Sequence, residues 1–347
     1  MSRSQAPAAP AGNRTQKDRT KKQRSADPSA DPSAARPRTP DGPPRTASPH
    51  RGGPAERFVR WVRQGGVTTI LFGLPMVLCF AYFSWWPIVQ SVQLSFQQTN
   101  LVDPATWVGL DNFRHVLDDP LLWKAVQNTA LFAALALVIG FPVPLFLAVL
   151  IAELRRGGTL FRILAYLPVA IPPVVSVLLW KVFYDPDAGL FNQLLAHVGL
   201  GPYPWLQSTD TAMLSIVLEA TWAGFGSTVI IYLAALGSVP TELYEAAEID
   251  AAGIWRRVWH ITLPSLRGVI LIMLLLQIIG TLQIFTEPFV MTDGGPEDST
   301  LTVLMLIYNY AFQNGDFGAA TALSVMLALV LGVLSAIYLR ATRSWSN

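Results

Sequence analysis

Charge is what this 347-residue chain lacks most: Asp, Glu, Lys and Arg make up 14% of it, against 52% hydrophobic residues. A soluble domain carries about 25% charged residues, so the deficit argues against a water-facing fold. The charge that is present is unevenly placed. Residues 1–66 hold 14 Lys/Arg and 5 Asp/Glu, while residues 67–347 share the other 29 charges. That excludes an ordinary soluble enzyme and a nucleic-acid-binding domain. Cysteine is nearly missing as well. Cys79 stands alone, which excludes an intramolecular disulfide and a cysteine zinc cluster. The four histidines (His50, His115, His197 and His260) are scattered, with no pair at helical spacing, so no metal site is expected. No GxxxxGK[ST] phosphate loop occurs, and Gly294-Gly295-Pro296 has no lysine after it; the chain itself is not expected to bind ATP or any other cofactor.

Residues 1–66 are rich in Pro, Ala, Arg, Ser and Asp. Such a stretch has too little apolar surface to offset its ordering entropy and reads as a disordered basic tail. It is no secretory signal, because the first apolar run begins only near Val67 and is long enough to span a bilayer.

Crossing about 30 Å of hydrocarbon takes about 20 apolar residues. Six runs meet that length: 67–88, 125–150, 161–183, 212–236, 268–290 and 319–340. Backbone groups in lipid must pair internally, so these are expected to be helices, giving an all-α integral membrane protein with six transmembrane helices in residues 67–340. Pro75, Pro142, Pro144, Pro168, Pro172, Pro173 and Pro288 interrupt them, and packed membrane helices tolerate such kinks. Lys/Arg counts set the orientation. With the N-terminus inside, 22 of the 25 basic residues fall on the inner side, leaving Arg114, Lys124 and Lys181 elsewhere. Both ends, including a short C-terminal tail at 341–347, are therefore expected in the cytoplasm of a multi-pass cell-membrane protein. The outer segments 89–124, 184–211 and 291–318 read as ordered caps.

One inner segment is too long for a connector. Loops in helical bundles run about 2–8 residues, whereas residues 238–266 separate the fourth and fifth runs. Pro240 suits a first helical turn, and Glu242, Glu245 and Glu248 suit the positive end of a helix dipole. Leu243, Ala246, Ala247 and Asp250 then share one side, and Gly253 can stop the helix by taking a positive φ. A second short segment, Trp255 to Ile261, precedes Pro264, which is expected to open the next membrane helix. A short helix with a small-residue side and acidic flanks suits insertion into a groove of another protein. Lipid headgroups would repel its carboxylates.

Glu245-Ala246-Ala247, then Asp250, then Ile261-Thr262-Leu263-Pro264 resembles the "EAA" loop of permease subunits in binding-protein-dependent ABC importers. The likeness extends over most of residues 67–340. Trp107-Val108-Gly109-Leu110-Asp111-Asn112-Phe113 resembles the segment before the second helix of sugar permeases of the maltose and glycerol-3-phosphate type. Gly294-Gly295-Pro296 with Ser299-Thr300, Tyr310-Ala311-Phe312 and Ala322-Leu323-Ser324-Val325 is similar to the same branch. The family usually has glycine directly after the aspartate; here Ala251 stands there, and Gly253 is expected to supply the turn. The resemblance implies a type I ABC importer permease fold and a division of labour. This chain would pair with a second homologous permease, as a heterodimer. Two ATP-binding subunits, holding ATP and Mg, would each grip an EAA loop, and an extracytoplasmic solute-binding protein would deliver a sugar. In this chain the ATPase-coupling residues would be Glu245, Ala246, Ala247, Asp250, Ala251, Gly253, Ile261, Leu263 and Pro264.

Candidates for the substrate pathway come from intramembrane polarity. Glu219 lies inside the fourth run, where a carboxylate is costly, and Trp222 follows at i+3. In the fifth run Gln277, Thr281 and Ile284 share a helical face, with Gln283 and Glu287 one row away. The same groups could instead hold helices together by interhelical hydrogen bonds. Trp85 and Trp86 read as interface anchors. An ion-gradient-driven carrier of a small polar solute is the alternative function, but Glu219 and Glu287 are too few and unpaired for a proton or ion relay. A membrane enzyme would need a second carboxylate cluster or a nucleophile–base arrangement, and neither stands out.

Overall fold

The computed structural model describes residues 65–154 and 157–343, together with Gly53, Val62 and Arg63. The expected tail at 1–66 thus lies almost wholly outside the described residues, as do Arg155 and Arg156 of the inner loop and residues 344–347 of the C-terminal tail. The chain divides into units Met1–Val67 and Thr68–Asn347; the second is described below.

Among the described residues, five helices are long and apolar enough to cross a bilayer: α1 (Thr68–Leu94), α3 (Pro120–Glu153), α7 (Ala212–Leu236), α9 (Ile254–Thr281) and α12 (Phe317–Thr342). Between them lie α2 (Asp111–Asp118), α6 (Leu190–Ala196), α8 (Thr241–Ile249), α10 (Thr286–Thr292) and α11 (Val303–Gln313). A two-stranded antiparallel ribbon, β1 (Gln97–Gln98) and β2 (Thr106–Trp107), pairs Gln97 with Trp107.

The third apolar run, expected as one helix kinked by its prolines, is broken outright. It is a bent pair, α4 (Gly158–Ala170) and α5 (Pro173–Phe183), meeting at 96°. A residue before proline is pushed out of the helical region, and Ile171 accordingly sits at φ −81°, ψ 130°. Pro173 then occupies the first turn of α5, where its missing N–H costs nothing.

Elsewhere proline is absorbed. A helical proline at position i clashes with the carbonyl of residue i−4. For Pro87, Pro142 and Pro264 that carbonyl belongs to Phe83, Val138 and His260. Each lies inside a π-helical turn: Ala81–Trp85, Ala136–Gly140 and Val258–Thr262. The wider turn relieves the clash and the helix continues. Pro264 falls in the first turn of the α-helical stretch Leu263–Thr281, as expected, but that stretch continues a π turn and a short helix without a break. α9 runs unbroken from Ile254, so the helix begins well before the apolar run at residue 268. It also ends early, at Thr281 and not at 290. Beyond the break, the Ile284 carbonyl accepts from the Thr302 hydroxyl at 3.0 Å.

α7, whose bounds match the expected 212–236, is the best-buried crossing, with 33% of its apolar window enclosed; α1 has none. The core has one cluster around Val116, Leu122, Met305 and Leu323, a second around Ile216 and Val217, and a third around Ala148, Val229 and Tyr232. α7 meets α4 at Gly226, where a Cβ would stand 2.2 Å from the Ala165 carbonyl oxygen.

Candidate functional site

The acidic hairpin folds as a helix, with differences in detail. Pro240 is the residue before α8, not its first residue, and Asp250 follows its end. The positive φ that turns the chain belongs to Ala251, at 53°. Gly253, expected to supply it, is extended at φ −65°, ψ 163°. The turn is closed by Ala251 N–H donating to Glu248 O at 3.0 Å and Ala252 N–H donating to Ala247 O at 2.9 Å.

Glu242, Glu245, Ala246 and Asp250 are exposed, as is Leu243, while Ala247 is half-buried. The small-residue side is therefore only partly turned to the outside. Glu248 is exposed too, but its carboxylate accepts from the shielded Arg257, Nη1 at 2.9 Å, and Arg257 Nη2 reaches Glu153, the last residue of α3, at 3.4 Å. The Tyr244 hydroxyl pairs with the Thr262 hydroxyl at 3.1 Å. Ile261, Leu263 and Pro264 all lie on α9; the first two are half-buried and Pro264 is exposed. The exposed surface of α8 carries three carboxylates, Glu242, Glu245 and Glu248, with Leu243, Ala246 and Ile249 beside them. Basic residues of another protein can approach such a surface closely.

A cavity of about 440 Å³ lies between α3, α7, α9 and α10. Its polar lining includes Thr221 and Thr228 of α7, Gln277 and Thr281 of α9, and Glu287 of α10. Gly140 keeps it open, because a Cβ there would come within 2.9 Å of Thr221 Oγ1. Two of the five sequence candidates, Gln277 and Thr281, line this cavity, and three do not. Gln283 falls beyond the end of α9, is exposed, and donates from Nε2 to the Ile279 carbonyl at 3.3 Å. Trp222 packs on Trp180, with ring centroids 5.5 Å apart. Glu219 is fully buried. Its Oε1 accepts from Ser176 Oγ at 2.7 Å, which ties α5 to α7. Its Oε2 has no partner among the described residues. Sequence reasoning missed Thr221 and Thr228, although their i, i+7 spacing across Gly224 marks one polar stripe on an apolar helix. Among the described residues no group of three His, Cys, Asp or Glu could hold a metal ion.

At the end of the bundle away from α8, the motif residues build a cap. The Phe96 carbonyl accepts from Val108 and Gly109 N–H, and Phe96 stacks on Trp107 at 5.6 Å. Asn112 Nδ2 donates to the Ser95 and Gln97 carbonyls, at 3.0 and 2.9 Å. Asn128 Nδ2 donates to the Asp298 and Leu301 carbonyls, at 2.6 and 2.9 Å. Gly294 takes φ +86°, and its carbonyl accepts from Thr300 N–H at 3.0 Å. The Tyr310 hydroxyl donates to Asp119; burial pushes this phenol up from its ordinary range, and the bond to the carboxylate pushes it further.

Residues 140–344 match the family model described as "Binding-protein-dependent transport system inner membrane component". The chain is 32% identical over 279 residues to the probable ABC transporter permease protein YurN of Bacillus subtilis, covering 79% of this chain and 95% of the relative. It is 33% identical over 276 residues to the arabinooligosaccharides transport system permease protein AraP of Halalkalibacterium halodurans, covering 79% and 87%. A solved bacterial ABC transporter involved in the import of the acidic polysaccharide alginate contains a chain of the same fold. It is 25% identical with a TM-score of 0.75, over 84% of this chain and 100% of that one.

Proposed function

Since the chain belongs to the inner-membrane components of binding-protein-dependent transport systems, we propose that it is one of two permease subunits of an ATP-driven carbohydrate importer. The relatives named above serve arabinooligosaccharides and alginate, and the hydroxyl and amide groups of the central cavity suit a polyhydroxylated solute. The bent pair α4–α5 counts as one crossing, making six, with both termini cytoplasmic. A second, homologous permease completes the pathway as a heterodimer; α1, with nothing of its apolar window buried in this chain alone, is available to it. Two ATP-binding subunits hold ATP and Mg, and an extracytoplasmic binding protein delivers the sugar to the outer cap. Nucleic acid has no part in it.

The observation that carries this reading is α8: a helix with no buried residue of its own, acidic on its free side, projecting between two crossings. ATP-driven closure of the ATPases moves it, and differential binding in the two states switches the pathway between inward- and outward-facing. Glu245→Lys tests the reading. Membrane insertion should be unchanged, while the ATPase no longer co-purifies and sugar uptake is lost. A variant that keeps both would overturn the assignment. So would wild-type uptake that survives ATP depletion at a clamped ion gradient, which would point to a secondary carrier.

A further inference from the structure

The geometry points to Arg257 as a positioning residue that fastens the acidic hairpin to the second long helix, so that a pull on α8 reaches both walls of the central cavity. This rests on the importer reading above and deepens it.

Arg257 sits in the first turn of α9 with its side chain 13% exposed, between Glu248 of α8 and Glu153 at the end of α3. The two carboxylates lie on different helices, 2.9 and 3.4 Å from different nitrogens of one guanidinium. A planar fork can serve two acceptors in fixed directions; a lysine ammonium, a single point charge, does not reproduce that. The helices that meet at this arginine also line the cavity. α3 contributes Gly140 and Pro144, and α9 contributes Gln277 and Thr281. Pro144 stands about 14 Å up the helix from Glu153, at about 1.5 Å per residue, close enough for a rigid rod to transmit a displacement.

The hairpin is joined to α9 by the chain itself and by the Tyr244–Thr262 pair. Its tie to α3 in this triad is Arg257 alone. Removing the arginine therefore leaves the hairpin tied to α9 but takes away its polar tie to α3, which then follows only through the apolar packing of Ala148 and Ile151. A merely structural ion pair would lower the amount of assembled importer. A transmitting one lowers the sugar moved per ATP in the importer that does assemble.

The experiment uses the complete importer in proteoliposomes and reads sugar uptake and ATP hydrolysis together. In Arg257→Gln, hydrolysis should persist while uptake per ATP falls about tenfold, within the usual range of coupling between sites. Glu153→Gln should give the same uncoupling, and Arg257→Lys should restore only part of it. Because Cys79 is the only cysteine, a Cys79→Ser background allows spin labels at Thr241→Cys on α8 and Leu150→Cys on α3. The distance between them should be narrow in the parent and broad in Arg257→Gln. If Arg257→Gln does not assemble, Glu153→Gln, which leaves the arginine paired to Glu248, decides. Wild-type uptake per ATP in Glu153→Gln, or an unbroadened distance, overturns the inference. A wild-type importer that moves no sugar would instead defeat the importer reading, and the distance measurement would still decide the tie.

Discussion

The two ends of this molecule are held by different chemistry. At the cap end, buried side-chain amides of Asn112, Asn128 and Asn192 each bond backbone groups of another segment; Asn128 spans 170 residues to reach Asp298. At the hairpin end α8 has no buried residue, and its side-chain ties are a hydroxyl pair and an arginine fork. Neutral bonds shut away from water have no competing partners, and a buried acceptor that loses its donor bears the full desolvation penalty. The cap is thereby committed to one shape. Charged ties near the surface hold a helix to its base yet leave most of it free to be gripped, and segments with few buried contacts open at low free energy. Where the polar groups are buried therefore separates a firmly tied cap from a lightly tied hairpin.

The comparison breaks hardest at Gly318. There α12 presses so closely on the ribbon that a Cβ would sit 2.4 Å from the Gln97 carbonyl oxygen and 2.8 Å from Asn112 Nδ2. Gly318→Ala must displace the amide that organises the cap, at a cost of about 3 kcal/mol, the upper end for overpacking. Thermal unfolding of the purified complex should show it, with lower yield and unchanged ATPase affinity in what survives. Next comes Asn128→Leu. It keeps the volume but strips the Asp298 and Leu301 carbonyls of their donor, at about 2 kcal/mol. Its loss should appear as faster amide exchange in residues 296–303, with the hairpin at 241–257 unaffected. Equal losses at both ends would mean that cap and hairpin unfold as one unit and that the contrast has no energetic content.

How much of this could be read beforehand depended on whether the cause was local. The bounds of α7 were legible because a long apolar run has clear ends. The break in the third crossing was legible in position, at Pro172-Pro173, but not in its 96° angle, which depends on what the two halves pack against. The π turn that joins Ile254–Arg257 to the helix opened at Pro264 leaves no composition signal, so the continuity of the two was not legible. Gln277 and Thr281 followed from helical periodicity. Gln283 did not, because the helix that would have placed it ends at Thr281. Arg257 could not be paired with Glu153 at all, since 104 residues separate them.

The smallest expected effect sharpens the comparison from the hairpin side. Ala251 holds φ +53° at the turn that ends α8. In that region the Cβ of an L-residue crowds the following carbonyl, at about 1–2 kcal/mol, whereas glycine enters it freely. Glycine also gives the unfolded chain more freedom to lose, which offsets part of the gain. Ala251→Gly should therefore stabilise the hairpin by up to about 1 kcal/mol, seen as slower amide exchange or proteolysis across 241–257 with the cap unchanged. Gly253, already extended, supplies the internal control: Gly253→Ala introduces no positive-φ penalty and meets nothing within 4 Å. It should leave the hairpin's protection within a few tenths of a kcal/mol of the parent, or slightly raise it. If Ala251→Gly weakened protection while Gly253→Ala did the same, the chain would be turning at Gly253 after all, and the strained residue that ends the handle would be misplaced.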